Sequence, residues 1–215
     1  METFARPSLL TFDIFGTVID WRRGMRDSLA REGISLDDAF DRVIDAQGTA
    51  EGGAYRRYAD ITAETLEVVL GASPEAAARI GAEVGAWPAF ADAAEALRRL
   101  MKVAPCVAMT NSDLLHGVQA QRGLGFRLDD WVCAEESRVY KPSREAWRHV
   151  AERRGASFGP AWWHVSAYAD YDLETARALG LTCVFVERPH ARPGPEDLHV
   201  VDLMELAAVA ESTVR

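Results

Sequence analysis

A chain of 215 residues is long enough for one ample domain, or for a core with a modest second lobe. Its 48% apolar and 27% charged residues are ordinary for a soluble globular protein. The net charge of −9, with acids and bases interspersed, excludes nucleic acid as the main partner, because phosphate binding needs a basic surface. A small anionic substrate stays open, since one or two placed cations decide that locally.

The N-terminus (METFARPSLLTFD) has no long apolar stretch, and no apolar run approaches the length of a membrane span. A cytoplasmic protein without membrane partners is expected. The first strand falls at Ser8–Phe12. From about Trp21 to Trp87 only amphipathic helical patterns follow. Arg22–Glu32 ends at Gly33, and Leu36–Ala46 gives way to a flexible Gly48…Gly52-Gly53 stretch. Tyr55–Leu70 ends at Gly71, and Pro74–Gly85 is bounded by Trp87-Pro88. Strand and helix then alternate. Helix Phe90–Met101 precedes strand Cys106–Met109, and helix Leu114–Gly123 precedes strand Trp131–Cys133. Helix Arg144–Arg154 precedes strand Trp163–Ser166, and helix Leu173–Leu179, closed by Gly180, precedes strand Cys183–Val186. His199–Val201 is a weaker sixth strand. Strands apolar on both faces, separated by helices, define an α/β fold with a parallel sheet. The helical block after the first strand reads as a separate cap. The expected division is a core of residues 1–20 and 88–215 and a helical cap of residues 21–87.

Cys106, Cys133 and Cys183 show no metal or CxxC spacing and read as buried reduced thiols. His116, His149, His164, His190 and His199 are scattered, and His164 reads as a satisfied core residue. The Pro189–Pro195 stretch reads as a surface loop.

In open parallel sheets chemistry gathers beyond the carboxyl ends of the strands. The polar residues that follow each apolar run are therefore the informative ones. Asp13, Phe15, Gly16 and Thr17 follow the first strand, and Thr110, Asn111, Ser112 and Asp113 the second. Lys141-Pro142 comes a little after the third, and Asp170 and Asp172 follow the fourth. A carboxylate, a hydroxyl/amide pair, an ammonium and a second carboxylate thus converge. Burial pushes an Asp toward its neutral form, and a nearby Lys holds it ionised. An ionised, poorly hydrated carboxylate is a usable nucleophile. Thr17 can hydrogen-bond Asp13, and Thr110 and Asn111 suit a substrate carboxylate or phosphate.

The stretches DIFGTVIDW (Asp13–Trp21), MTNS (Met109–Ser112), VYKP (Val139–Pro142) and DYD followed by ARALG (Asp170–Gly180) resemble the four motifs of the haloacid dehalogenase superfamily. Their order matches, with separations of 97, 31 and 31 residues from Asp13 to Thr110 to Lys141 to Asp172. The resemblance covers nearly the whole chain. It implies a Rossmann-like parallel-sheet core with an inserted type-one helical cap. Phosphatases of the superfamily carry an acid two residues after the nucleophile, and here that position is Phe15. An aromatic residue followed by Gly-Thr is similar instead to the 2-haloacid dehalogenases of type II.

That resemblance implies a hydrolase in which Asp13 displaces halide from a short 2-haloalkanoic acid. An aspartyl ester forms and water then hydrolyses it. Lys141 would hold Asp13 ionised, Asp172 would orient Lys141 and help activate water, and Thr17 would support Asp13. Phe15, Thr110, Asn111, Trp21, Tyr55 and Ser166 would bind or line the substrate. Arg42 has two readings, a cap arginine that grips halide or carboxylate and a solvated helix-face residue. Trp21 and Tyr55 have the second reading of cap-packing aromatics. No cofactor is expected, although Asp13, the Phe15 carbonyl and Asp172 could formally hold Mg²⁺. The resemblance also implies a homodimer. Two departures stand out: the fourth motif lacks the Asn expected before Asp172, and Trp147 stands where a tyrosine is expected. They leave open another C–X bond, such as that of fluoroacetate or of a small cyclic amino acid. A phosphatase or phosphonatase lacking the acid, and a silent binding protein, are rival readings.

Overall fold

The computed structural model describes residues 4–36 and 39–213. Six parallel strands form one sheet in the order β3-β2-β1-β4-β5-β6. They are β1 (Leu9–Phe12), β2 (Cys106–Thr110), β3 (Asp130–Cys133), β4 (Trp162–Ser166), β5 (Thr182–Val186) and β6 (Leu198–Val200). The register aligns Phe12 with Ala108 on one side and with Val165 on the other. Those strands therefore end together, and the strand order reverses at β1, where such sheets open a crevice.

The uniformly apolar strands are explained by burial on both faces. One face, with Leu10, Phe12, Cys106, Ala108 and Val165, packs under α5 (Ala93–Leu100), α6 (Leu114–Leu124) and α10 (Leu203–Ser212). The other, with Leu9, Val107, Met109, Trp162 and Cys183, packs under α8 (Arg144–Arg154) and α9 (Glu174–Ala178). The alternation is the two-residue period of a strand. A short α7 (Ala134–Ser137) follows β3. The three cysteines are free and buried, and burial pushes the Cys133 thiol up to about 11. No helix of the described residues is long and apolar enough to cross a membrane.

Between β1 and α5, the described residues form four α-helices: α1 (Trp21–Arg31), α2 (Phe40–Glu51), α3 (Tyr58–Leu70) and α4 (Pro74–Glu83). Helices α3 and α4 pack closely because position 81 is glycine; a Cβ there would stand 2.3 Å from the Ala59 carbonyl oxygen. Asp113, on the loop before α6, ties this block to the sheet. Its carboxylate accepts from the backbone N–H groups of Tyr58 (2.8 Å) and Ala59 (2.9 Å), unpaired donors in the first turn of α3.

Two elements differ from expectation. Helix α2 does not stop at Ala46 but runs through Gly48 to Glu51, and its expected first turn lies partly at residues 37–38, outside the described residues. A helical glycine costs only about 1 kcal/mol relative to alanine. Burial of Phe40, Val43 and Gln47 offsets that cost. The helix expected at Leu173–Leu179 begins earlier, as a π-helical turn over Ala169–Leu173 that leads into α9. Helix α10 lay outside the expected elements.

Candidate active site

Asp13 follows β1, and its backbone N–H bonds to the Val165 carbonyl, so the sheet itself fixes the residue. Gly16, at φ +99°, turns the chain back immediately, and a Cβ there would stand 2.5 Å from the Tyr168 ring. That turn brings the Thr17 hydroxyl to Asp13 Oδ2 at 2.7 Å. Thr17 Oγ1 in turn accepts from the Ala167 N–H at 3.0 Å, which orients its proton toward Asp13.

Lys141 reaches in from the loop before α8. Its Nζ donates to Asp13 Oδ1 (2.9 Å) and Asp172 Oδ2 (2.6 Å), and all three side chains are buried. Burial raises the Asp13 carboxyl above its ordinary value and the neighbouring Asp172 adds to this, while Lys141 and Thr17 pull it back. Burial alone would lower Lys141, but the two carboxylates outweigh it and hold the ammonium above its ordinary value. Asp172, although buried, is held below the usual carboxylate range by Lys141 and by His164. The cluster is one cation between two anions.

These groups open into a cavity of about 600 Å³ between the sheet ends and the helical block. Asp13, Phe15, Trp21, Thr110, Asn111, Lys141 and Asp172 line it, so the structure brings most of the expected residues together. Phe15 lies nearly parallel to Tyr58, with ring centroids 6.3 Å apart, and offers no proton. Asn111 is held by Lys141: its Oδ1 accepts from the Lys141 N–H (2.7 Å) and its Nδ2 donates to the Lys141 carbonyl (3.0 Å). The buried Ser112 hydroxyl lines the cavity without a hydrogen-bond partner among the described residues, beside Thr110.

Three expected residues stand elsewhere. Arg42 is exposed on α2 and does not line the cavity, because the phase of the helix turns Ile44, Asp45, Gln47, Gly48 and Glu51 inward instead. Tyr55 stacks on Tyr140 at 5.6 Å, beneath the Arg138 guanidinium, outside the cavity lining. Ser166 is fully buried and accepts from the Tyr168 N–H (3.0 Å), which shapes the fourth-motif turn. Trp147 packs edge-on against His164 at 5.4 Å and takes no part in the cavity.

Other lining residues escaped the sequence. Arg192 comes from the Pro189–Pro195 stretch, which is more than a surface loop, and bonds Asp45 of α2 at 2.8 Å. Tyr171 is placed by the π-helical turn and donates to the Lys141 carbonyl. Glu51, at the end of α2, accepts from Asn111 Nδ2 at 2.7 Å. A divalent ion needs several hard oxygens. Here Asp13 and Asp172 share an ammonium, and among the described residues no group of three or more His, Cys, Asp or Glu side chains is placed to hold a metal.

An open parallel sheet with a helical insert after β1, and a Lys-bridged pair of aspartates at the switch point of the strand order, defines a hydrolase class. The family model for haloacid dehalogenase-like hydrolases matches residues 7–198, and the chain belongs to that family. No curated protein matches the sequence. Among solved structures it is similar to a defluorinating L-2-haloacid dehalogenase, Rha0230, with TM-score 0.82, 23% identity and coverage of 98% of this chain and 100% of that one. It is also similar to the L-2-haloacid dehalogenase PA0810, with TM-score 0.81, 22% identity and coverage of 96% and 99%. The L-2-haloacid dehalogenase of Xanthobacter autotrophicus with chloropropionic acid covalently bound gives TM-score 0.80, 17% identity and coverage of 95% and 98%. At these identities the likeness speaks for the fold.

Proposed function

We propose that this hydrolase displaces halide from short 2-haloalkanoic acids, with Asp13 as the nucleophile. One observation carries the reading. The carboxylate of Asp13 is held by Thr17 and Lys141 at the floor of the cavity, and the residue two positions on is Phe15, which cannot protonate a leaving group. General acid catalysis contributes about 10²–10⁴-fold where a leaving group needs a proton, and halide needs none. In this reading an Asp13 oxygen attacks the α-carbon, the carbon–halogen bond breaks with its electron pair on the halide, and an ester remains. Water activated beside Asp172 then adds to the ester carbonyl, releasing the 2-hydroxy acid. Thr110 and the unpartnered Ser112 hydroxyl offer donors for the substrate carboxylate, with Arg192 as the cation that Arg42 is not. The similar structures include L-2-haloacid dehalogenases, which supports this reading.

The test is halide release from chloroacetate, L-2-chloropropionate and fluoroacetate with EDTA present, for the wild type and Asp13→Asn. Release that survives EDTA and is lost in the variant is expected. If none of the three yields halide, the haloacid reading fails; turnover of an aryl phosphate restored by Mg²⁺ would replace it with phosphoryl transfer.

A further inference from the structure

The loop that supplies Arg192 is joined to the fourth-motif turn through its backbone. Ala169 N–H donates to the Arg192 carbonyl and Arg192 N–H to the Ala167 carbonyl, both at 2.8 Å, so Tyr168 and Arg192 pair as a short parallel bridge. Gly194 lets the two segments close up, since a Cβ there would stand 2.7 Å from the Ala169 carbonyl carbon and from the Asp170 nitrogen. Residues paired across neighbouring strands point to the same face, on backbones about 4.8 Å apart. Here that face is the cavity, which both side chains line.

Neither side chain has its donors used up. The Tyr168 ring rests against Gly16, with its hydroxyl oxygen 2.8 Å from where a Gly16 Cβ would stand, in the turn between Asp13 and Thr17. That hydroxyl has no hydrogen-bond partner among the described residues. Arg192 gives Nη2 to Asp45 at 2.8 Å, and its Nε and Nη1 have no partner among the described residues. Burial pushes the Tyr168 hydroxyl well above its ordinary value; the Asp13 charge adds to this and Arg192 opposes it, so the phenol stays a donor at any working pH. A neutral donor beside a permanent cation suits an anion with two oxygens.

We propose that Tyr168 and Arg192 form one clamp for the substrate's carboxylate, and that this clamp makes the site select an acid over the corresponding neutral amide. The proposal rests on the reading of the cavity as the site of a carboxylate-bearing substrate. Each donor takes one carboxylate oxygen, and the backbone bridge sets their spacing before substrate arrives. A preset spacing lowers the ordering cost of binding. An amide of the same shape offers Arg192 no charge and presents one oxygen in place of two. Tyr168 is therefore a specificity residue that needs no part in the displacement step.

Glycolate and glycolamide are the probes, titrated by tryptophan fluorescence against wild type, Tyr168→Phe, Arg192→Ala and the double variant, with chloride release from chloroacetate followed alongside. Tyr168→Phe removes one oxygen that no protein group holds, so Tm should be kept. Wild type should bind glycolate more tightly than glycolamide, and Tyr168→Phe should cut that preference about tenfold, the worth of a hydrogen bond to a charged group. The double variant should lose less than the product of the two single losses, because both donors share one anion. Equal affinity of wild type for the two ligands would overturn the clamp, and losses that multiply would overturn it as a unit. An unchanged preference in Tyr168→Phe would also overturn it and leave the carboxylate to Thr110 and Ser112. Chloride release with that unchanged preference sinks the clamp and keeps the haloacid reading; a tenfold loss of preference without chloride release does the reverse.

Discussion

His164 Nε2 stands 3.5 Å from Asp172 Oδ2, with both side chains fully buried. The imidazole is set from behind. Trp162 Nε1 donates to the Thr11 hydroxyl (2.8 Å), which leaves Thr11 to donate to His164 Nδ1 (2.7 Å). That arrangement puts the imidazole proton on Nε2, facing Asp172. His164 is thus more than a satisfied core residue: it lies at the head of a chain that runs through Asp172 and Lys141 to Asp13.

Replacing His164 with Phe keeps the bulk against Trp147 and removes the partner of Asp172. We expect kcat for halide release to fall about tenfold, an effect of ~1.4 kcal/mol, with KM little changed because the cavity lining is intact. His164→Asn should recover part of the loss. A change confined to KM would show that His164 does not act through Asp172.

The charges of the cluster make a stability prediction of opposite sign for its two ends. With Asp13 and Asp172 both ionised, Lys141 leaves one buried negative charge in excess. Asp13→Asn removes it and should raise Tm while abolishing activity; a gain of about 1 kcal/mol corresponds to ~2–4 °C in a chain of this size. Lys141→Met leaves two buried carboxylates facing each other and should cost about 3–5 kcal/mol. Urea denaturation of both variants measures the pair. A loss of stability in Asp13→Asn would mean that its bonds to Thr17 and Lys141 outweigh its desolvation.

The same shifts fix the pH behaviour. In the proposed mechanism Asp13 must be ionised to attack, and its folded-state carboxyl lies above 3.8, so the acid limb of halide release should fall above the usual aspartate range. Stability has different edges. Asp172 is held below 3.8 in the folded state, so its contribution is present above that value and is lost as pH falls further. Lys141 is held above 10.5, so its contribution is present below that value and is lost as pH rises through the folded-state value. Between these edges stability should decline as pH rises through the carboxyls of Asp13 and Glu51, which burial holds above their ordinary values, and level off beyond them, and a pH series of kcat beside one of Tm separates the two kinds of titration.

What the sequence made legible follows from where each residue sits. Asp13, Thr110, Lys141 and Asp172 come directly after apolar strands or within a short loop of them, and a parallel sheet brings strand ends together whatever the details of packing. Glu51 and Arg42 depend instead on the phase of α2. Reading Gly48 as a break ended the helix too early, and Arg42 rested on the resemblance to a cap arginine rather than on helix phase; the helix in fact continues, and Asp45, Gln47 and Glu51 line the cavity. Arg192 belongs to a segment without periodicity, so nothing local marks its direction. Tyr171 depends on the π-helical turn, whose extra residue shifts the phase by a step that no 3.6-residue pattern reveals.

Asp113 yields a prediction about the helical block itself. It accepts two N–H groups at the start of α3, and its replacement by Ala leaves both buried donors without that partner. The loss of hydrogen bonds to a charged group costs about 1.5–3 kcal/mol each. We expect Asp113→Ala to accelerate hydrogen exchange in α3 and α4 more than in the sheet, since those helices lean on this contact. Uniform acceleration throughout would show that the block and the sheet unfold as one.

Arg192 lines the cavity proposed to take a substrate carboxylate, whereas Arg42 is exposed outside it. The Arg192–Asp45 pair spans from the loop after β5 to α2 with the arginine side chain 34% exposed, so its direct contribution to stability is small, ~0–1 kcal/mol. Arg192→Ala should therefore leave Tm nearly unchanged, yet raise KM for chloroacetate about tenfold, or ~1.4 kcal/mol, by removing a cation from the cavity lining. Arg42→Ala should leave KM as it is, because its side chain lies outside the cavity lining. Steady-state kinetics on the two variants decides between them. A rise in KM for Arg42→Ala alone would mean that α2 rotates on binding and presents a different face to the substrate.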